Sequence, residues 1–311
     1  MRISLVTPLY RSEIYIEELY QRARQTIIAI TPDYEFIFVN DNSPDNSLTV
    51  AKRIADEDPN VTVVDLSRNF GQHKALLTGL AQSTGDYVFI CDSDLEEQPE
   101  WISLFYQAMQ DKECDVIYGV QAGRKRGFFY RLASRMFYRS LNSLSGFAFP
   151  ENIVTARLMS RRYVASMLEF SEREVFLAGI WHMTGFVQLP SAVEKPNSSP
   201  TTYSFGRLVY LFVNAITAFS TRPLTIISIA GIALSFSAMI FIAYLLWLKF
   251  GLGIASEGWA SVMAAIMLIG GITLFFNGIM AIYIAKIFVE VKQRPLTIVR
   301  EVYRKHSDGS A

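Results

Sequence analysis

The stretch VFICDSDLEE, from Val88 to Glu97, runs an apolar, β-branched segment into four acids, Asp92, Asp94, Glu96 and Glu97, within six residues. Like charges at that density repel one another, so the segment implies a positive partner. Two aspartates spaced two apart also occur by chance in acidic loops, and the pair alone reads equally well as a solvated turn. Other polar residues sit in the same relation to apolar runs: Thr7-Pro8, Asn40-Asp41 and Ser67-Arg68. Around Asp41 the segment NDNSPDNS is rich in turn formers, and Ser47 suits a helix cap. Arg68, Asn69, Gly71 and Lys74 make a positively charged loop at a helix start, which suits an anion, with a plain surface role for Lys74 equally open. His73, His182 and His306 show no metal-ligand spacing and read as structural or surface residues. Cys91 and Cys114 have no CxxC spacing, which argues against a disulfide framework or structural zinc and for a reducing cytoplasmic setting.

The elements that must position these residues follow from the pattern before residue 200. ISLVTPLY, YEFIFVND, VTVVDLS and DYVFICD are nearly continuous apolar runs, each of the first three followed by a helical stretch, with helices predicted at about 47–58 and 72–82. Such runs predict a parallel sheet covered by helices on both faces. Ligands of such sheets bind beyond the carboxyl ends of the strands, where the polar residues above cluster. The N-terminal MRISLVTPLY lacks a charged region followed by a long apolar one and reads as the first strand, so no signal peptide is expected.

The 311 residues allow one or two domains and carry 29 basic and 29 acidic side chains, so no bulk charge draws the chain to nucleic acid. Hydrophobic residues make up 51% and concentrate toward the C-terminus. Leu224–Leu248 and Ala260–Ala285 contain no charged residue, and each is long enough to cross a hydrocarbon core of about 30 Å. Arg222 precedes the first span; Lys286, Lys292, Arg294, Arg300, Arg304 and Lys305 follow the second; the loop between holds only Lys249 and Glu257. The positive-inside rule then puts both ends, and the head, in the cytoplasm of an inner or plasma membrane protein. The expected division is a head at 1–204, a juxtamembrane amphipathic segment at 205–223, two transmembrane helices at 224–287 and a cytosolic tail at 288–311. Small residues around Gly270-Gly271 suit close packing of spans and a homo-oligomer.

In GFFYRLASRMFYRSL, Gly127 to Leu141, helical spacing groups Arg131, Arg135 and Arg139 beside Phe129, Leu132 and Met136. That pattern suits a helix at a membrane surface, and a helix docked on the sheet is the alternative.

The motifs TPLYRSE, FVNDNSPDNS, LSRNFGQHKALLTGL and DSDLEEQPE, followed by AFSTRPL and paired spans, resemble the family 2 glycosyltransferases of the GT-A fold. More narrowly they resemble the branch that makes polyprenyl-phosphate sugars. The resemblance implies an α/β fold, a GT-A mostly parallel sheet flanked by helices and followed by two transmembrane helices. It implies a metal-dependent, inverting transfer of one sugar from a nucleotide sugar to polyprenyl (undecaprenyl) phosphate. Mg²⁺ or Mn²⁺, suited to hard oxygen ligands, would be held by Asp94 with Asp92 sharing the metal or contacting ribose. Pro8, Tyr10, Glu13, Asp41, Lys74 and Asp92 would form the nucleotide site, Asp41 accepting from the base. Arg157 would be catalytic, and Arg124, Arg126, Arg131, Arg135 and Lys195 would meet the acceptor phosphate. Glu96 and Glu97 stand where the family often has Gln and Asp. Two departures fall on the acceptor side: Thr155 and Ala156 stand where the family commonly has an acid and the Phe of a Phe-Arg pair, with Arg157 kept, and Gln121 stands for a common Arg, with Arg124, Lys125 and Arg126 nearby. A phosphate monoester is already anionic at neutral pH and needs no base, so Thr155 fits a lipid phosphate better than a sugar hydroxyl. SAVEKPNSSPTTYSFGRL, Ser191 to Leu208, resembles a loop that closes over the diphosphate, and reads equally as a linker. Two alternatives stand beside this reading: a different, glycan acceptor, whose processive synthases carry a QxxRW motif and more spans that are absent here, and a degenerate nucleotide- or lipid-binding module.

Overall fold

The computed structural model describes residues 1–121, 152–195, 217, 220–251 and 258–305. The chain divides into two compact units, an α/β head that includes the segment after the second long helix, and a helical unit. The expected amphipathic helix at 127–141, with Arg124, Arg126, Arg131 and Arg135, lies outside the described residues, as do residues 205–216, 218 and 219 of the segment 205–223.

The head opens with β1 (Ile3–Leu9), α1 (Ile16–Ile28), β2 (Tyr34–Asn40), α2 (Ser47–Glu57), β3 (Val61–Leu66), α3 (Gln72–Gln82) and β4 (Tyr87–Ile90). It continues with α4 (Trp101–Asp111), β5 (Val116–Gln121), β6 (Ile153–Ser160), α5 (Arg161–Leu168), α6 (Leu177–Met183) and β7 (Gln188–Val193), and is completed by β8 (Val299–Arg304). One eight-stranded sheet has the order β7-β5-β6-β4-β1-β2-β3-β8. The four strands expected from their apolar runs are the parallel centre, while β6 is antiparallel to both β4 and β5, and β8 to β3.

Alternation along each central strand feeds two cores. Leu5 and Leu9 of β1, and Phe36 and Phe38 of β2, pack with α1, α2 and α4; Val6, Ile37 and Val39 pack with α3, α5 and α6 on the other face. A strand buried on both sides has no polar face, which is why these segments read as unbroken apolar runs. Gly79 brings α3 close to the sheet: a Cβ there would meet Val6 Cγ1 at 2.4 Å and Val39 Cγ2 at 2.8 Å. Pro8 sits in a central strand without cost because β4 pairs with β1 only as far as Val6 opposite Ile90, two residues before it.

The helical unit holds α7 (Arg222–Gly251) and α8 (Trp259–Lys292), both longer than the expected spans. Their apolar stretches, Arg222–Leu245 and Ser261–Lys292, are long and apolar enough to cross a membrane. Large side chains such as Ile232, Met267 and Leu274 are exposed, so neither helix is the buried core of a soluble fold. At about 1.5 Å per residue the 34 residues of α8 reach about 51 Å, more than one hydrocarbon core. Within the range 288–311 expected as a tail, α8 runs on to Lys292 and Val299–Arg304 pairs with β3 as the edge strand of the sheet.

Candidate active site

The carboxyl ends of β1, β2, β3 and β4 lie side by side, and the loops leaving them are tied together by side chains. Ser12 Oγ after β1 meets Ser93 Oγ after β4 at 2.6 Å. The Arg11 N–H donates to Ser43 Oγ at 2.7 Å, and Asn46 donates to Glu13 through its side chain at 2.9 Å and its N–H at 3.2 Å. Glu13 thus braces the loop after β2. Pro8 is buried, and Tyr10 presents a ring that is 46% exposed.

Asp41, expected to hold the base, is 2% exposed and accepts the N–H of Phe70 at 2.7 Å and of Gly71 at 2.9 Å. Each oxygen already has a backbone donor, so Asp41 at least fixes the loop before α3; a carboxylate has further lone pairs for a ligand. Gly71 adopts φ +95°, which favours glycine at this turn. In the same loop Arg68 stacks on Phe70 at 4.2 Å, and Lys74 stands half-buried in the first turn of α3.

The four acids after β4 separate into different environments, which accounts for their density. Glu97 is fully buried, accepting the Asp92 N–H at 3.1 Å and the Thr155 N–H at 2.8 Å. It clamps the end of β4 to β6. Asp92 accepts from Gln72 Nε2 through one oxygen and from Thr155 Oγ1 at 3.3 Å through the other. Burial, followed by the neighbouring Glu97 and Asp94, pushes the Asp92 carboxyl well above the usual range, and burial likewise raises Glu97. Lys195 is the positive partner implied by the sequence, 3.4 Å from Glu96 Oε2 and 3.7 Å from Glu97 Oε1. Expected on the acceptor phosphate, it is here engaged with the acids. Asp94 is the exposed member, with one oxygen on the Glu96 N–H at 3.0 Å, beside Leu95 at φ +59°.

Among the described residues no group of three or more His, Cys, Asp and Glu surrounds a single point that could hold a metal. Asp92 and Asp94 nevertheless fit a hard divalent cation: both offer carboxylate oxygen, Asp94 faces outward, and diphosphate oxygens would complete the shell. Arg157, expected to be catalytic, is 2% exposed, with its guanidinium over the Trp181 ring and Nε donating to the Thr155 carbonyl at 3.3 Å. Burial lowers its pKa to about 9, so it stays charged at neutral pH within β6. Glu97 as a clamp, Gln72 on Asp92 and the Ser12–Ser93 tie were not anticipated; each depends on neighbours 5 to 81 residues away, and only the position of Glu97 in the acidic run drew notice.

Residues 4–168 match the family model for glycosyl transferase family 2. A protein of Mycobacterium tuberculosis (strain CDC 1551 / Oshkosh) described as putative glycosyltransferases is 44% identical over 97% of this chain and 89% of its own. An uncharacterized glycosyltransferase of Bacillus subtilis (strain 168) is 32% identical over 97% of this chain and 94% of its own. The prophage bactoprenol glucosyl transferase homolog of Escherichia coli (strain K12) is 30% identical over 97% of this chain and 99% of its own. A sheet with an acid-bearing loop at the carboxyl end of β4, and a match that spans β1 to β6, place this chain in glycosyl transferase family 2.

Proposed function

We propose that the protein moves a single sugar from a nucleotide sugar to polyprenyl phosphate at the cytosolic face of a membrane, with inversion at the anomeric carbon. The observation that carries this reading is Thr155. It stands on β6 at 3.3 Å from Asp92, where enzymes of this type commonly present an acid. A hydroxyl acceptor needs a base to remove its proton, whereas a phosphate monoester, with a second pKa near about 6, attacks as an anion. The two apolar helices and the full-length similarity to a bactoprenol glucosyl transferase homolog support the lipid acceptor.

In this mechanism Tyr10 offers its ring to the base, Asp41 accepts from ring N–H or ribose hydroxyl groups, and Glu13 holds the loop between them. Lys74 faces the diphosphate from the start of α3. A divalent cation, Mg²⁺ or Mn²⁺, would be held by Asp94 with help from Asp92 and would stabilise the negative charge of the departing nucleoside diphosphate. A phosphate oxygen of the lipid forms the new bond to the anomeric carbon from the side opposite the breaking bond to the diphosphate, and no proton changes hands. Lys195 and the arginines at 124, 126, 131 and 135 are the cations assigned to the acceptor phosphate. The same reading has copies packing through the small residues around Gly270-Gly271, which the mass of the protein in detergent tests.

The experiment incubates purified protein with undecaprenyl phosphate, Mg²⁺ or Mn²⁺ and a panel of radiolabelled nucleotide sugars. Label enters the organic phase with wild type and not with Asp94→Ala, which keeps its fold because Asp94 is exposed. Transfer to a glycan instead, or nucleotide binding without any transfer, would sink the lipid acceptor.

A further inference from the structure

We propose that Arg300, carried on the strand that follows the second long helix, is a positioning residue for the donor nucleotide. It braces the loops after β2 and β3 that flank Asp41. The proposal rests on the functional reading above only in taking those loops as the nucleotide wall.

The strand β8 pairs with β3 so that Asp65 faces Glu301 and Leu66 faces Val299. One step on β3 thus spans two on β8, and Arg300 is the extra residue of a bulge. Bulges redirect a side chain out of the regular alternation, and this one turns Arg300 toward the carboxyl ends of β2 and β3. Asp65 there is 1% exposed, and a buried polar group costs free energy unless its oxygens find hydrogen-bond partners. Asn40 Nδ2 donates to one of its oxygens at 2.7 Å and Arg300 Nη1 to the other at 3.0 Å. The second guanidinium nitrogen, Nη2, donates to the Ser67 carbonyl at 2.9 Å and Asn42 Oδ1 at 3.4 Å. A planar fork with donors on both arms can hold three acceptors in one geometry, which the point charge of a lysine cannot.

These contacts lie on both sides of Asp41. Asn40 and Asn42 are its chain neighbours, and Ser67 opens the loop whose Phe70 and Gly71 N–H groups Asp41 accepts. Arg300 therefore sets the width between the loop after β2 and the loop leading to Lys74. The strand does not depend on it for attachment. The Ser67 N–H donates to the Ile298 carbonyl at 2.9 Å, Thr297 meets Thr78 at 2.7 Å, Arg304 Nε donates to Thr62 at 2.9 Å, and Lys52 lies 3.4 Å from the centre of the Tyr303 ring.

The test compares wild type, Arg300→Ala and Arg300→Lys as full-length protein in detergent. It measures binding of UDP, GDP, CDP and dTDP by calorimetry, donor KM and kcat with the donor that wild type uses, and the unfolding midpoint. The expected result is a nucleotide Kd and donor KM raised about tenfold in Arg300→Ala with kcat within about twofold, as loss of a charge-assisted bond predicts. Arg300→Lys recovers the unfolding midpoint through Asp65 and leaves KM high, a split that simple structural support would not produce. Wild-type Kd and KM in Arg300→Ala would overturn the role of Arg300 alone. Arg300→Lys restoring KM together with the midpoint would reduce Arg300 to a counter-charge and overturn it as well. A wild-type chain that binds none of the four nucleotides would overturn this proposal and the functional reading together.

Discussion

Glu97 shows how one side chain can matter without touching a ligand. It is wholly buried and spends both oxygens on backbone N–H groups, at Asp92 and at Thr155. Glu97→Gln keeps the shape but turns an amide N–H₂ toward one of those donors, leaving a buried N–H unsatisfied. The expected cost is about 1–3 kcal/mol of stability, read by denaturant unfolding, together with loss of transfer as the Asp92 loop drifts. The acids at 92 and 94 were legible from their position after an apolar run. The clamp was not, because it needs β6 to lie antiparallel against β4, and nothing in DSDLEE states which strand comes alongside. The surroundings of Arg157 were not legible for the same reason: its burial against Trp181 is set by packing 24 residues along the chain.

Among elements, the first four strands were legible and the last four were not. β1 to β4 are buried on both faces and declare themselves as apolar runs. β7 is half-exposed and contains Pro190, and β8 reads VREVYR with alternating charge, so each carries the composition of an edge or a loop. The ends of the central strands are locked by a polar network that pH can test. Glu35 on β2 is 6% exposed, accepts from Ser4 Oγ at 2.6 Å and Thr84 Oγ1 at 2.9 Å, and pairs with Arg2 at 3.2 Å. Burial alone would raise its pKa, but the hydrogen bonds from Ser4 and Thr84 outweigh that and hold the carboxyl below its ordinary value. A depressed folded-state pKa gives stability that is present above the unfolded value and lost as pH falls through the folded one. Stability should therefore decline below about pH 4, and Glu35→Gln should be less stable at neutral pH by about 1–3 kcal/mol with a flatter acid decline. Unfolding midpoints measured from pH 3 to 7 check both; parallel curves for the two proteins would remove Glu35 from the account.

At the scale of the whole molecule, the tail belongs to the head. β8 and the rest of the sheet are one structure, so residues on either side of the α7–α8 pair share one side of any membrane that pair crosses. This agrees with the distribution of Lys and Arg in putting both ends of the pair on one side, and leaves the choice of the cytoplasmic side to the charges alone. A chain ending at Gln293 keeps both long helices but uncovers β3 and strips Asp65 of Arg300. It should insert, bind nucleotide at least tenfold more weakly and aggregate through the open strand edge; calorimetry and size-exclusion chromatography in detergent check this, and wild-type behaviour of the truncated protein would contradict it.

The position of β8 also sets an order of events during synthesis. The ribosome makes β3 at Val61 and its edge partner only at Val299, after both long helices have emerged. Until then the sheet has an unfinished border and Asp65 lacks its cation. If the loops beside β3 form the donor wall proposed above, a nascent copy completes that wall only once β8 has been made, so both long helices are synthesised before substrate can first be loaded.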